Sequence, residues 1–247
     1  MRKIKNKNIS QALILAAGFG SRLRPLTLKT PKPLLEVNEK PILFYILEEL
    51  RTNNISRCFI NVHYLPQKII KFVNEYSNVH KTIKIIIVKE KNILDTGGAI
   101  KNIANLYNDK PLLVINGDSL IVSKKCSSPL KELIYNFDIK FMDYLLLLDN
   151  NKNSIGYDGK GDFQFLNKKL PSNIKRSTKN RLAYTGWQIV NPKPILKIKN
   201  KKFSLNICYD QAIKNNLLWG IINKEKWLHI GTKKSLIESE IWIKKYK

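Results

Sequence analysis

Acidic residues are scarce in this chain: 19 Asp and Glu stand against 44 Lys and Arg in 247 residues, a formal net charge of +25. Cysteine is scarcer still. Cys58, Cys126 and Cys208 are odd in number and widely spaced. That spacing excludes a disulfide framework and a cysteine metal site, and favours a reducing, cytoplasmic compartment. No uninterrupted apolar stretch approaches the length of a membrane span, so no membrane insertion is expected. The N-terminus, MRKIKNKNIS, leads into only a short apolar run that ends in glycine. It is not a signal peptide and reads as a disordered basic lead-in over residues 1–10. Internal repeats and long linkers are also missing, so residues 11–247 are expected to form one domain.

The positive charge has two readings. A basic surface attracts nucleic acid or anionic membrane. Here, however, the lysines are spread along the whole chain and mixed with Asn and Ile, and no basic helix carries interleaved aromatics. That pattern is a global compositional bias, so no nucleic-acid partner is expected. The charge would still draw anionic small molecules toward a site, with an effect that salt screens.

Strand-like and helix-like segments alternate. Strands are expected over 12–16, 57–62, 82–88, 111–116 and 141–148, and helices over 40–52, 66–76, 97–107 and 130–137. This order implies βαβ units and an α/β, Rossmann-like, mostly parallel sheet covered on both faces. From 150 to 180 the chain is rich in Asn, Lys, Gly and Ser, which suggests a small antiparallel extension containing GDFQF. A further strand over 183–190 and helices over 204–216 and 232–245 complete the pattern.

The densest signal is ALILAAGFGSRLRPLTLKTPKPLLEV at 12–37. An apolar strand runs into Gly18-Phe19-Gly20-Ser21-Arg22, and Lys32 stands between Pro31 and Pro33. Glycines allow positive φ and close approach of a ligand, and the amides of such a loop can cradle phosphate oxygens. Arg22 can offer a planar fork to two phosphate oxygens, and Lys32 a compact charge on a proline-restricted backbone. The string is neither a P-loop, which needs Gly-Lys-Ser/Thr, nor a dinucleotide fingerprint, because Leu23 stands where a third glycine belongs. Asn116-Gly117-Asp118 ends another strand. Its carboxylate could hold Mg²⁺, or the turn could be a plain strand end.

With these residues in view, LAAGFGSRLRPLTLKTPKPLLEV resembles the signature LAAGxGxRLxPLTxxxPKPLxxV of the sugar-1-phosphate nucleotidyltransferases. DTGGAI at 95–100, LLVINGD at 112–118, GKGDFQF at 159–165, YTGW at 184–187 and WLHIGT at 227–232 follow in that family's order. Together they are similar to its short, single-domain branch, which includes N-acetylmuramate-1-phosphate uridylyltransferase and mannose-1-phosphate guanylyltransferase-like proteins.

The resemblance implies a nucleotide-diphospho-sugar transferase fold. It also implies that an NTP (UTP or GTP) and a sugar-1-phosphate form an NDP-sugar and pyrophosphate with Mg²⁺, for cell-wall or surface polysaccharide precursors. Arg22, Lys32 and Asp118 are then catalytic. Leu15, Ala16, Ala17, Gly18, Gly20 and Ser21, with Thr96, Gly97 and Gly98, bind the nucleotide. Gly161, Asp162, Thr185 and Gly186 face the sugar. Glu90 and Lys91 precede the base segment and could lie near the base edge, but read first as a solvated charged loop.

One departure stands out. The family places a second metal-binding aspartate in the string that here reads WLHIGT, so His229 takes its place. His229 could ligate a metal, donate to a phosphate or sugar, pack as an ordinary histidine, or mark a weakened, non-catalytic nucleotide-binding homologue. A cytidylyltransferase acting on phosphocholine is the other alternative, with Tyr184 and Trp187 as a cage for its cation. Whether the chain is a monomer or a dimer is left open.

Overall fold

The computed structural model of this chain describes residues 9–107, 110–123, 128–151, 154–179 and 181–246. The lead-in expected over 1–10 lies outside them up to residue 8. Ile9 is buried and the Ser10 carbonyl accepts from the amides of Ser56 and Arg57, so packed chain starts two residues before the expected boundary.

The strands are β1 (Gln11–Leu15), β2 (Glu36–Val37), β3 (Lys40–Pro41), β4 (Arg57–Val62), β5 (Lys84–Lys89), β6 (Leu112–Asn116), β7 (Ser119–Val122), β8 (Tyr144–Asp149), β9 (Ser154–Ile155), β10 (Phe163–Phe165), β11 (Ser172–Arg176), β12 (Ala183–Val190), β13 (Leu218–Ile222) and β14 (Lys226–His229). Nine of them form one sheet in the order β10-β11-β13-β8-β12-β6-β1-β4-β5. β7, β14 and β9 form a small second sheet, and β2 pairs with β3.

The expected parallel part is the β6-β1-β4-β5 block, where every neighbouring pair is parallel. Beyond β6 the sheet is mixed. β12 runs antiparallel to both β6 and β8, β13 runs parallel to β8, and β11 and β10 add the antiparallel extension at the edge. No helix among the described residues is long and apolar enough to cross a membrane.

β1 is apolar at every position after Gln11 because both of its faces are covered. Ala12 and Ile14 join one core cluster with helix Ile42–Thr52, while Leu13 joins the other with helix Asp95–Asn102. Helix Ile42–Thr52 buries Ile42, Leu43, Ile46, Leu47 and Leu50, a stripe with the helical period. Each such side chain contributes about 2 kcal/mol of transfer free energy. The helix expected over 97–107 starts at Asp95 and is broken at Ile103 into Asp95–Asn102 and Ala104–Tyr107.

The crossovers position the site. The connection leaving β1 packs its helix on one face of the sheet, and the connection from β5 to β6 packs its helix on the other. A crevice therefore opens between β1 and β6 at their carboxyl ends, where ligands of open α/β sheets bind.

Candidate active site

A cavity of about 390 Å³ opens at that switch point. The loop after β1, from Leu15 to Gly18 and from Gly20 to Arg22, forms one wall. Gly20 adopts a left-handed φ of 63° and begins the short helical turn Ser21–Leu23, pinned by buried Leu23. A Cβ on Gly20 would lie 2.9 Å from Thr27 Cγ2 and 3.2 Å from Lys32 Cβ. The Thr27 hydroxyl meanwhile donates to the Gly20 carbonyl at 2.9 Å. The glycine thus brings the Arg22 loop and the Lys32 segment together. Space on the Cα of Gly18 is open, as an approaching ligand requires.

Lys32 follows extended Pro31 and starts the turn Lys32–Leu34. Its Nζ donates to Asp118 Oδ2 at 2.5 Å. Gly117 makes this meeting possible. Its amide donates to the Leu15 carbonyl at 3.0 Å, and a Cβ there would come within 2.7 Å of that oxygen. Burial pushes the Asp118 carboxyl up. The charge and hydrogen bond of Lys32 outweigh it, His229 and Arg22 add to them, and the carboxyl ends below the usual carboxylate range.

On the side away from β4 and β5, Gly186 sits at a bulge in β12 with φ 86°, and its Cα side is closed by Asn116, which lines the cavity. Thr185 is buried, and its hydroxyl donates to the Leu147 carbonyl at 2.9 Å rather than facing the cavity. The amide of Gly161 donates to the Tyr157 hydroxyl at 3.1 Å, and exposed Asp162 follows it. Tyr157 in turn packs its ring edge-on to His229, 5.8 Å between centroids. None of Gly161, Asp162, Thr185 and Gly186 lines this cavity.

His229 packs against both Tyr157 and Trp227, whose rings also meet at 5.0 Å between centroids, and Gly231, two residues on, lines the cavity. His229 Nε2 lies 2.9 Å from the position a Cβ on Gly231 would take, and Arg22 Nη1 lies 3.6 Å from the same point. Burial lowers the His229 pKa, the Asp118 charge opposes this, and the Lys32 and Arg22 charges add to the lowering. Trp187 is buried, with its indole donating to the Ser119 carbonyl, and Tyr184 packs edge-on to Tyr209. Both aromatics are committed to the core and form no cage for a quaternary cation.

The base segment is only partly where it was expected. Thr96 lines the cavity, with its hydroxyl accepting from the Leu205 amide at 2.9 Å. Gly97 and Gly98 do not line it. A Cβ on Gly97 would sit 2.3 Å from the Phe203 ring, and one on Gly98 2.4 Å from the Lys201 carbonyl. Both amides donate to the Phe203 carbonyl. These glycines admit the 201–203 segment against the helix.

Glu90 is not a solvated loop residue: it is buried and lines the cavity, as does Asn61 at the end of β4. Asn61 was missed. Its signal in the sequence is one amide inside the apolar strand RCFINV, a buried polar group that must find partners.

The donor set bears on a metal ion. Among the described residues no cluster of three or more His, Cys, Asp or Glu could hold one. Of the three acidic residues that line the cavity, Glu90, Asp95 and Asp118, it is Asp118 that stands beside Lys32. Mg²⁺ takes one or two carboxylates and completes its shell with water and substrate phosphates, so the site fits Mg²⁺ as a shared ligand of the protein and a polyphosphate.

Residues 11–148 match the nucleotidyl transferase family, a span that runs from β1 to β8 and holds Arg22, Lys32, Glu90 and Asp118. The chain belongs to that family. Over 93% of its length it is 27% identical to the N-acetylmuramate alpha-1-phosphate uridylyltransferase of Caulobacter vibrioides, of which it covers 95%. It is 37% identical over half its length to the mannose-1-phosphate guanyltransferase of Hypocrea jecorina, but spans only 33% of that enzyme.

Its fold is similar to a UDP-glucose pyrophosphorylase crystallised with UDP-glucose, at a TM-score of 0.80 and 19% identity, covering 97% of this chain and all of that one. With the same coverage it is similar to HddC from Yersinia pseudotuberculosis in complex with GMP-PN, at a TM-score of 0.74 and 22% identity. Members of this nucleotidyltransferase family generally use a divalent metal. The relatives act on a nucleoside triphosphate and a sugar-1-phosphate.

Proposed function

We propose that this chain joins an NTP, UTP or GTP, to a sugar-1-phosphate, releasing pyrophosphate and an NDP-sugar for cell-wall or surface polysaccharide precursors. The observation that carries this reading is the polarity of the cavity along the sheet edge. Arg22, Lys32 and Asp118 stand at the ends of β1 and β6, while Glu90, Asp95 and Thr96 stand beyond β5. A triphosphate is drawn to the cationic end, and its base reaches the carboxylate end, where phosphate is repelled. The sugar-1-phosphate enters from the β12 side, toward Gly186 and the Tyr157–His229 wall.

A sugar-1-phosphate oxygen is already an anion, so its attack on the α-phosphorus needs no general base. Catalysis rests on alignment and on neutralising charge as pyrophosphate departs. Arg22 holds the β- and γ-phosphates. Lys32 shifts its ammonium from Asp118 to the α-phosphate as charge builds there. Asp118 would hold Mg²⁺, which would neutralise phosphate charge. The loop amides from Ala17 to Ser21 cradle the phosphate oxygens. The full-length similarity to an N-acetylmuramate alpha-1-phosphate uridylyltransferase makes UTP with an N-acetylated sugar-1-phosphate the first pair to assay.

The experiment is pyrophosphate release by purified protein with Mg²⁺ across a panel of NTPs and sugar-1-phosphates. Release with one pair is the expected result. Folded protein that releases none with any pair sinks the proposal.

A further inference from the structure

Glu90 is 6% exposed and Asn61 4% exposed, although both side chains are polar and one carries a charge. Buried groups of this kind need a full set of hydrogen bonds, and theirs form one directed chain. The Ala16 amide donates to Asn61 Oδ1 at 2.8 Å. Asn61 Nδ2 donates to Glu90 Oε1 at 2.8 Å. The Leu94 amide donates to Glu90 Oε2 at 3.1 Å. Ala16 begins the glycine loop that leads to Arg22, and Leu94 precedes Asp95 and Thr96 at the far end of the cavity. Three hydrogen bonds through two side chains thus join both ends of the nucleotide cavity across β4.

We propose that Asn61 and Glu90 are positioning residues for the nucleotide: they set the separation and register between the loop that takes the polyphosphate and the loop that takes the base. Neither touches a reacting atom. A nucleotide has a fixed reach from base to phosphate, so the two loops bind it together only at one spacing. The base-side loop is also tied to a different part of the molecule, through the Gly97 and Gly98 amides on the Phe203 carbonyl. His63 Nδ1 donates to the Glu90 carbonyl at 2.9 Å and the His63 ring packs edge-on to Phe19 of the phosphate loop, and the Glu90 side chain, through Asn61, supplies the hydrogen-bonded link to that loop. The inference rests on the nucleotidyl-transfer reading for the identity of the ligand, and on the hydrogen bonds for the role of the residues.

The direction of the chain supplies the test. Glu90 accepts through both of its oxygens, which a glutamine cannot do. Glu90→Gln therefore sets one N–H against another, and Asn61→Asp sets two carboxylates against each other. The double variant Asn61→Asp/Glu90→Gln reverses the middle bond and restores all three. The new carboxylate at position 61 accepts from the Ala16 amide and from the new side-chain amide at position 90, whose oxygen accepts from the Leu94 amide.

Binding of MgUTP and MgGTP by calorimetry, with steady-state kinetics beside it, reads the outcome. Each single variant is expected to raise the Kd and KM of the preferred nucleotide by about tenfold or more, while kcat and the KM for sugar-1-phosphate stay within about threefold. The double variant is expected to return to within about threefold of the unaltered protein. Single variants that fold and keep the nucleotide Kd overturn the inference. So does a double variant no better than the worse single. If a single variant is recovered unfolded, the double variant alone decides by the same threshold. An unaltered protein that binds neither nucleotide and releases no pyrophosphate overturns the functional reading and the inference with it. Turnover by that protein with indifferent variants overturns the inference alone.

Discussion

Lys32 Nζ lies 2.5 Å from Asp118 Oδ2, a contact between the loop after β1 and the turn after β6, 86 residues apart in the chain. The lysine keeps the carboxyl below the usual carboxylate range despite its burial, and in the proposed reaction it stands where the α-phosphate would arrive. Lys32→Met is expected to lower kcat/KM by about 10² or more, the usual scale for removing a preorganised charge donor. It also has a signature in pH. Burial pushes the Asp118 carboxyl up and Lys32 is the main group pulling it down. Without Lys32 that pKa rises, so the acid limb of the residual kcat/KM profile moves to higher pH. An unmoved acid limb removes the pair from the mechanism.

Gly117→Ala tests the close approach that brings Asp118 to Lys32. Its Cβ would meet the Leu15 carbonyl at 2.7 Å and Pro33 Cγ at 3.2 Å. Forcing the turn away from β1 is expected to cost about 1–3 kcal/mol in urea unfolding. Turnover should fall further than stability alone explains, because the displaced residue carries the carboxylate.

Gly97→Ala separates packing from base binding. The added methyl would meet the Phe203 ring at 2.3 Å. A loss of about 1–3 kcal/mol is expected. In a Phe203→Ala background the same change should cost markedly less, a coupling read by a double-mutant cycle of unfolding midpoints. Equal costs in both backgrounds would show that Phe203 is not the obstacle.

His229→Asn and His229→Asp bear on the metal. An imidazole is a poor ligand for Mg²⁺, so the Mg²⁺ concentration for half-maximal activity should move by less than about twofold in His229→Asn. His229→Asp adds a second carboxylate beside Asp118 and is expected to lower that concentration. A large rise in the Asn variant would make His229 a ligand.

Glu48 accepts from Arg51 Nε at 2.9 Å, from Arg51 Nη2 at 2.8 Å and from the Tyr76 hydroxyl at 2.6 Å, joining helix Ile42–Thr52 to helix Pro66–Val79. The Arg51 hydrogen bonds do most to lower its pKa from 4.5 to about 2, burial opposes them, and Tyr76 adds to the lowering. Because the folded-state pKa is depressed, its stabilisation is complete above about pH 4.5 and disappears as pH falls toward about 2. Glu48→Gln should cost about 1 kcal/mol at pH 7, a figure reduced for solvent screening, and should flatten the acid loss of stability in urea titrations.

Much of this was legible along the chain. The apolar run of β1, the glycines after it and the cations at 22 and 32 are local signals, and strand–helix alternation is a periodicity that needs no partner. They determined the α/β class, the glycine loop proposed to take the polyphosphate, and the family resemblance. What only the tertiary structure decided lies in contacts between distant segments. Gly97 faces the Phe203 ring and Gly98 the Lys201 carbonyl because the 201–203 segment returns to that helix, and nothing near residue 97 announces it. Tyr184 and Trp187 point into the core because β12 is sandwiched between β6 and β8. Glu90, charged and beside Lys91, reads as a solvated loop until Asn61 and the Leu94 amide arrive to satisfy it. A backbone preference is encoded within a few residues. Burial, and the hydrogen bonds that burial demands, depend on which remote chain covers them, and that is settled only when the sheet is assembled.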